Sequence, residues 1–495
     1  MNRTPQTNPQ VPSEQSLRDS RVLVVGGGVS GCAAAIRLRH LGFNVTLMER
    51  ANFPREKICG CCLGAAGLSA LDAIGLGDAV RQLGVATTTF VGYLQTTRQS
   101  ESSEFETNRV CRSPVEFPVS PGVAIARSVL DSFLVAEAAR IGVDVRQPHE
   151  AQIVRSDSRS VVVRHRPVGS HDGDSWVTTD QYAAVILATG LTGVFQGKDT
   201  SDAAEAKRRV VAQEVKRHSD EEESQSQSLR WDLPWVESPH GPLGIATHVP
   251  ASHPLAAAWP IRDGQIQMVC GDDGYVGLVR LPGGSVDLAA ALQSRGKSAR
   301  PGITRRSPSE RIALLLQSHP DLRDMPSEGE LGWRQWLQDD AVWMTAPPLR
   351  RQRHVGQGRV VAIGDCVRYV EPLTGEGMTW GIESGIAVAD LWQQAIHDQA
   401  GVGDVVASDA VAVQTSIPSA EHFDRIDYAA AWQKRLATLQ TKRRVICGLV
   451  TSGLRYRAIR RITHAGLSHA EWLAKPFTQG VASGPHFEST RQADH

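Results

Sequence analysis

The stretch "RVLVVGGGVSGCAAAIRLRHLGFNVTLMER", residues 21–50, leaves the chain little choice of fold. A short apolar run leads into three spaced glycines, Gly26, Gly28 and Gly31, then an alanine-rich segment and a second apolar run closing on Glu49 and Arg50. The apolar runs read as buried strands of a parallel sheet and the alanine segment as their crossover helix. The glycines provide a tight turn, close approach of backbone to a pyrophosphate, and close packing of helix on strand. The helix N-terminus then faces the anion. Glu49 stands 23 residues after Gly26, where a carboxylate accepts hydrogen bonds from ribose hydroxyls and repels a 2'-phosphate. A dinucleotide site is expected, held by Gly26, Gly28, Gly31, Glu49 and Arg50.

More pieces of the same α/β sheet lie along the chain. "AIARSVLDSFLVAEAARIGVDVR" reads as a helix leading into a strand, "YAAVILATG" as a buried strand ending on Gly190, and "GRVVAIGDC" as a late strand followed by a long helix. Residues 92–118 and 230–285 have the shorter, polar-apolar texture of an antiparallel sheet. Residues 199–229 are charged and low in complexity, which predicts a flexible surface insertion. The first twenty residues are polar and predict a disordered leader without an export signal.

Charge is balanced overall, with 53 basic and 53 acidic side chains among 495 residues, so nothing global calls for nucleic acid. It is unbalanced locally. Between Lys434 and Arg461 stand nine Lys or Arg and no acid. That run reads either as a solvated helix face or as a peripheral membrane contact through residues 434–461. No uncharged apolar run reaches the roughly 18 residues a spanning helix needs. Eight cysteines in a long chain without an export signal favour reduced thiols and a cytoplasmic location, with membrane association left open.

A second glycine-rich turn, "GDCVRYVEPLTGEGM" at 364–378, carries Gly364, Asp365, Pro372, Gly375, Gly377 and Met378, and a helix rich in small residues follows it. Glu376 suits the start of that helix as a cap. A further cluster, "KICGCC" at 57–62, offers three crowded sulfurs. A zinc site would need about four ligands and none is expected here. A Cys59–Cys62 redox pair has the C-x-x-C shape, and Cys61 and Cys62 also suit plain packing.

Four stretches together carry a resemblance: "VVGGGVSG" with Glu49, "PREKICG" at 54–60, "ARSVLD" at 126–131, and "GDCVRYVEPLTGEGM". Over roughly residues 20–395 the chain resembles the geranylgeranyl reductase family. That family lies within the larger group of flavoproteins built like para-hydroxybenzoate hydroxylase and the flavin-dependent halogenases. The resemblance implies FAD, with the late Asp365 on the ribityl hydroxyls and the following helix N-terminus toward the flavin pyrimidine ring. It nominates Arg127 and Asp131 as cofactor supports. It matches Lys57, Cys59 and Gly60 to an element beside the flavin, so Cys59 is the catalytic candidate, lining the ring or the substrate cavity. Tyr275, in "GYVGLVRLPGG" at 274–284, is the substrate-binding candidate, although Gly277 stands where the reductases carry tryptophan. Thr189 in "ILATGLTGVF" replaces the acid that nicotinamide-dependent hydroxylases place there, and no halogenase "W-x-W-x-I-P" signature is found.

The expected architecture is α/β: a Rossmann-type FAD-binding domain with an inserted antiparallel β-sheet substrate domain and a helical C-terminal region. Its expected limits are 1–20 for the leader; 21–91, 119–198 and 354–400 for the FAD-binding domain; 92–118 and 230–353 for the substrate domain; and 401–495 for the helical basic region. The expected function is an FAD-dependent oxidoreductase reducing a C=C bond of a hydrophobic isoprenoid, quinone-like or polyketide-derived substrate. Electrons would come from NAD(P)H or a separate carrier. Hydroxylation of such a substrate is the alternative, and a non-catalytic flavin-binding redox sensor is the reading from another class.

Overall fold

In the computed structural model the chain is described at residues 21–96, 114–157, 160–169, 178–191, 236–237, 241–293, 306–329, 331–346, 349, 351–369, 375–399 and 428–469, and singly at 474, 478 and 487. The leader, the 199–229 insertion, Cys111 and Pro372 lie outside these residues.

Six strands form the first sheet, in the order Gly356–Gln357, Val360–Ala362, Ala184–Leu187, Arg21–Val25, Asn44–Met48, Asp144–Arg146. All pairs are parallel except the hairpin at the first edge. Val22, Leu23 and Val24 are completely buried, as a strand covered on both faces requires. The alanine-rich segment is a helix, Val29–His40, and it too is buried nearly all round. Its outer side is covered by the long helix Glu376–Gln399. Small residues make this possible: a Cβ on Gly385 would stand 2.4 Å from the Ser30 carbonyl oxygen, and one on Gly381 2.6 Å from Ser30 Oγ.

The second sheet has eight strands, ordered Met344–Ala346, Leu243–Val249, Val286–Leu292, Gly274–Arg280, Gln265–Gly271, Val85–Leu94, Val115–Ala124, Cys62–Leu63. It departs from the antiparallel expectation at one place, where Gln265–Gly271 pairs in parallel with Val85–Leu94. Gln265 pairs with Thr89, far away in sequence, so no hairpin dictates their direction. The hairpin Val85–Leu94/Val115–Ala124 runs across the expected limits at 91 and 119, and Phe90 pairs with Phe117 inside it. A three-stranded sheet, His149–Ser156, Val161–Pro167 and Thr178–Tyr182, was not anticipated from sequence.

Two helices, Tyr428–Gly453 and Arg457–His469, end the described chain. The first is tied down by Tyr428, whose hydroxyl donates to the Val388 carbonyl at 2.6 Å, and by Trp432 Nε1, which donates to the Ala362 carbonyl at 2.8 Å. The basic run is therefore not one solvated face. Arg443 lies buried against Glu376 and Glu383, and Arg460 is completely buried, donating to the carbonyls of Gln95, Leu454 and Arg455 at 2.7, 2.8 and 3.0 Å. Among the described residues no helix is long and apolar enough to cross a membrane.

Candidate active site

A cavity of about 740 Å³ reaches from the first glycine turn to the C-terminal helices. At one end it is walled by Gly28, Ser30, Lys57, Arg127, Gly190 and Asp365, and at the other by side chains such as Phe90, Phe117, Met268, Leu349, Leu449 and Ile462. Cys59, Tyr275, Gly375, Glu376, Gly377 and Met378 stand along its wall.

The glycines of the first turn divide their tasks as steric reasoning requires. A Cβ on Gly31 would lie 1.8 Å from the Gly26 carbonyl oxygen, and one on Gly26 2.4 Å from that of Ala188. Both glycines are needed for packing behind the cavity. Gly28 is different. A Cβ there would meet only Arg127 Nη2 at 3.7 Å and Lys57 Nζ at 3.9 Å, so its backbone faces open space flanked by two cations. Such a cradle fits a dinucleotide pyrophosphate. Glu49 Oε2 accepts from Gly27 N at 2.7 Å and its Oε1 from Ala51 N at 2.9 Å, so the carboxylate clasps the turn. Arg50 is exposed and outside the cavity wall; its strand has already ended, which turns the side chain to solvent.

Arg127 begins the helix Arg127–Arg140 and donates to both oxygens of Asp131, at 2.9 and 2.8 Å, one helical turn on. Burial works against its charge, but Asp131 and the nearby Cys59 outweigh it and raise the guanidinium pKa. Asp131 is completely buried and holds Arg127 from behind the cavity. Burial, then Arg127, pulls the Lys57 ammonium down; burial lifts the Asp365 carboxyl, while Lys57 and Arg127 oppose the rise. Gly364, at φ +59°, makes the turn before Asp365, and its N–H donates to Ser384 Oγ at 3.0 Å, pinning the turn to the long helix.

Within the cysteine cluster the hydrogen bond runs between Cys59 and Cys61. Cys59, Cys61 and Cys62 are all free thiols. Cys59 shares a side-chain hydrogen bond with Cys61, two positions away, and this bond, with Arg127 nearby, lowers the Cys59 pKa against the effect of burial. The same bond and burial raise Cys61, whose φ is +49°. Among the described residues no group of His, Cys, Asp or Glu is arranged to hold a metal ion.

Of the residues expected from sequence, Gly28, Cys59, Arg127, Gly190, Tyr275, Asp365, Gly375, Gly377 and Met378 come together at the cavity. Gly26, Gly31, Glu49, Asp131 and Gly364 support it from behind. Sequence reasoning passed over Asp287 and Arg443, and took Glu376 for a helix cap. Glu376 does begin its helix, but it is buried in the cavity wall, and burial with Glu383 nearby raises its carboxyl to about 7 although Arg443 opposes the rise. The flanking glycines of "GEG" were the available signal; Arg443 carried none, being one of nine like charges.

Residues 19–180 match the family described as FAD binding domain. The chain is 24% identical over 425 residues to 3-hydroxybenzoate 6-hydroxylase of Klebsiella oxytoca, covering 85% of this chain and 92% of that protein. It is 26% identical over 416 residues to menaquinone reductase of Mycobacterium tuberculosis, covering 79% and 83%. In fold it is similar to a variant of Klebsiella pneumoniae HpxO complexed with FAD, with a TM-score of 0.56 and 14% identity over 94% of this chain and 99% of that one. With the cradle at Gly28 and an FAD binding domain over residues 19–180, the chain is an FAD-dependent oxidoreductase of the α/β fold that such hydroxylases share.

Proposed function

We propose that this enzyme reduces a carbon–carbon double bond of a hydrophobic, isoprenoid or quinone-like substrate, in the manner of a geranylgeranyl reductase. The observation that carries this reading is the single chamber joining the Gly28 cradle to a long apolar wall of Phe90, Phe117, Met268 and Leu349. A chamber of that composition favours an extended apolar ligand over a small charged acid. The likeness to a menaquinone reductase along most of both chains supports the same substrate class. Relatives named for enzymatic activities along most of both chains support an enzyme over a non-catalytic redox sensor.

When bound, FAD supplies the redox chemistry, passing two electrons as a hydride equivalent from NAD(P)H or a separate carrier to the substrate. Gly28, Lys57 and Arg127 would hold its phosphates and Asp365 its ribityl chain, and Glu49, which clasps the glycine turn from behind, would accept from the ribose at the edge of that turn. Gly190, Gly375, Gly377 and Met378, which line the same cavity, would border the ring. Reduction adds a hydride to one carbon and a proton to the other. Glu376, with its carboxyl raised to about 7, carries a proton in a sizeable share of molecules at neutral pH and is assigned as the donor. Cys59, biased toward thiolate, is less suited to that task and stays as a contact in the wall.

The test is an anaerobic single turnover with chemically reduced enzyme and a polyprenyl quinone, followed by mass spectrometry of the product. Gain of two hydrogen atoms with flavin reoxidation supports the reading. A second reading, hydroxylation, is favoured by the likeness to 3-hydroxybenzoate 6-hydroxylase over 425 residues. Uptake of one atom from labelled dioxygen, with no anaerobic turnover, would establish it instead.

A further inference from the structure

The apolar end of the chamber opens between the two C-terminal helices, and its rim is exposed. Ten large apolar residues are exposed among the described residues, and five of them fall within positions 445–462: Val445, Leu449, Tyr456, Ile459 and Ile462. Exposed apolar residues are ordinary when scattered, so this concentration needs a partner. Val445 and Leu449 stand one turn apart on the first helix, as do Ile459 and Ile462 on the second. Leu449 and Ile462 are 69% and 72% exposed, and they also line the chamber mouth together with Ile459.

The same helices satisfy their inward side within the chain. Val450, Leu454 and Leu467 pack against the cluster of Leu94, Phe117 and Met268. Two apolar faces on one helix pair exceed what a surface helix needs for its own core. Among the described residues the outer face is left uncovered.

Charge selects the occupant. Residues 428–469 contain nine Lys or Arg and no acid. Arg443, Arg457 and Arg460 are paired with Glu376, Glu383 and Asp272, while Lys434, Arg435 and Arg461 are exposed. Two copies of such an acid-free face would repel each other. A surface of anionic headgroups over acyl chains complements both the charge and the apolar rim.

We propose that the exposed face of residues 445–462 docks on an anionic lipid bilayer, with the chamber mouth against the acyl region. A hydrophobic substrate then passes between bilayer and chamber without crossing water. The docking face stands on the surface itself; the passage of substrate rests on the functional reading above.

The experiment is vesicle flotation of the full-length, FAD-loaded protein without substrate. Vesicles of mixed phosphatidylglycerol and phosphatidylcholine are compared with phosphatidylcholine alone. The protein is expected to float with the anionic vesicles and to be released by salt. The double variant Leu449→Ser, Ile462→Ser should bind about tenfold more weakly or less, having lost two apolar anchors, while its flavin spectrum and circular dichroism stay unchanged. Equal binding by the double variant, no binding to anionic vesicles, or a stable dimer that the double variant abolishes would each overturn the proposal. An inactive enzyme that floats would sink only the functional reading; an active enzyme that does not float would sink only the docking face.

Discussion

Arg443 donates from Nη2 to Glu376 Oε2, a carboxylate 67 residues earlier in the chain, with both side chains buried. Its Nη1 also donates to both oxygens of Glu383 at 2.7 Å. One guanidinium from the C-terminal helix thus serves two carboxylates on the helix that walls the cavity, and one of the two is itself part of the wall.

Removing that guanidinium strands two buried carboxyl groups. Arg443→Met is expected to lose about 3–5 kcal/mol of stability, the usual effect of breaking a buried ion pair from one side. Denaturant unfolding of wild type and variant measures it. Arg443→Lys, which keeps the charge but not the fork, should fall between them.

The raised Glu376 carboxyl sets a pH dependence. Its folded-state value of about 7 exceeds the ordinary 4.5, so the folded chain holds this proton more tightly than the unfolded chain. Its contribution to stability is present below about 4.5 and is lost as pH rises through about 7. As the proton donor it should give an anaerobic reoxidation rate that falls above about pH 7, and Glu376→Gln should lower the rate and flatten that limb. A wild-type rate independent of pH in this range would remove Glu376 from the role.

The glycines at the first turn should separate folding from cofactor binding. Gly31→Ala places a Cβ 1.8 Å from a backbone oxygen and is expected to give little soluble protein. Gly28→Ala meets only the ends of Arg127 and Lys57, so it should fold and bind FAD more weakly by about 1.5–3 kcal/mol, the worth of a hydrogen bond to a charged group. Flavin fluorescence titration of the apoprotein reads the difference.

Cys59 should be the thiol alkylated at lowest pH. Peptide mapping after brief iodoacetamide treatment is expected to show Cys59 modified well below the ordinary thiol range, and Cys61→Ala should shift its profile upward by removing the hydrogen bond. Bound FAD should slow the reaction, because Cys59 lies in the cavity wall.

Asp287 is the least settled charge near the site. It is buried beside the Cys59–Cys61 pair, its Oδ2 has no hydrogen-bond partner among the described residues, and burial raises its pKa well above the ordinary value. Its contribution to stability is greatest at low pH and is lost as pH rises through the elevated folded-state value. Asp287→Asn should flatten that decline in thermal melts recorded over a pH series; an unchanged pH profile would show the carboxyl is not the cause.

The sequence alone determined the βαβ unit, the glycine cradle and the second turn at Asp365, because short-range sterics impose them: three glycines, two apolar runs and a helix start cannot be arranged otherwise in 30 residues. It also named the thiol at Cys59 and the basic run. What it left undecided depends on segments far apart meeting. The parallel pairing of Val85–Leu94 with Gln265–Gly271 has no local signature. Glu376 read as a cap until Arg443 was brought to it. Arg443 and Arg460 were indistinguishable from Arg461 in a run of like charges, and only packing decided which were buried on carboxylates and carbonyls and which were left at the rim. Burial and long-range pairing set the charge states in this site, and neither is written in local sequence.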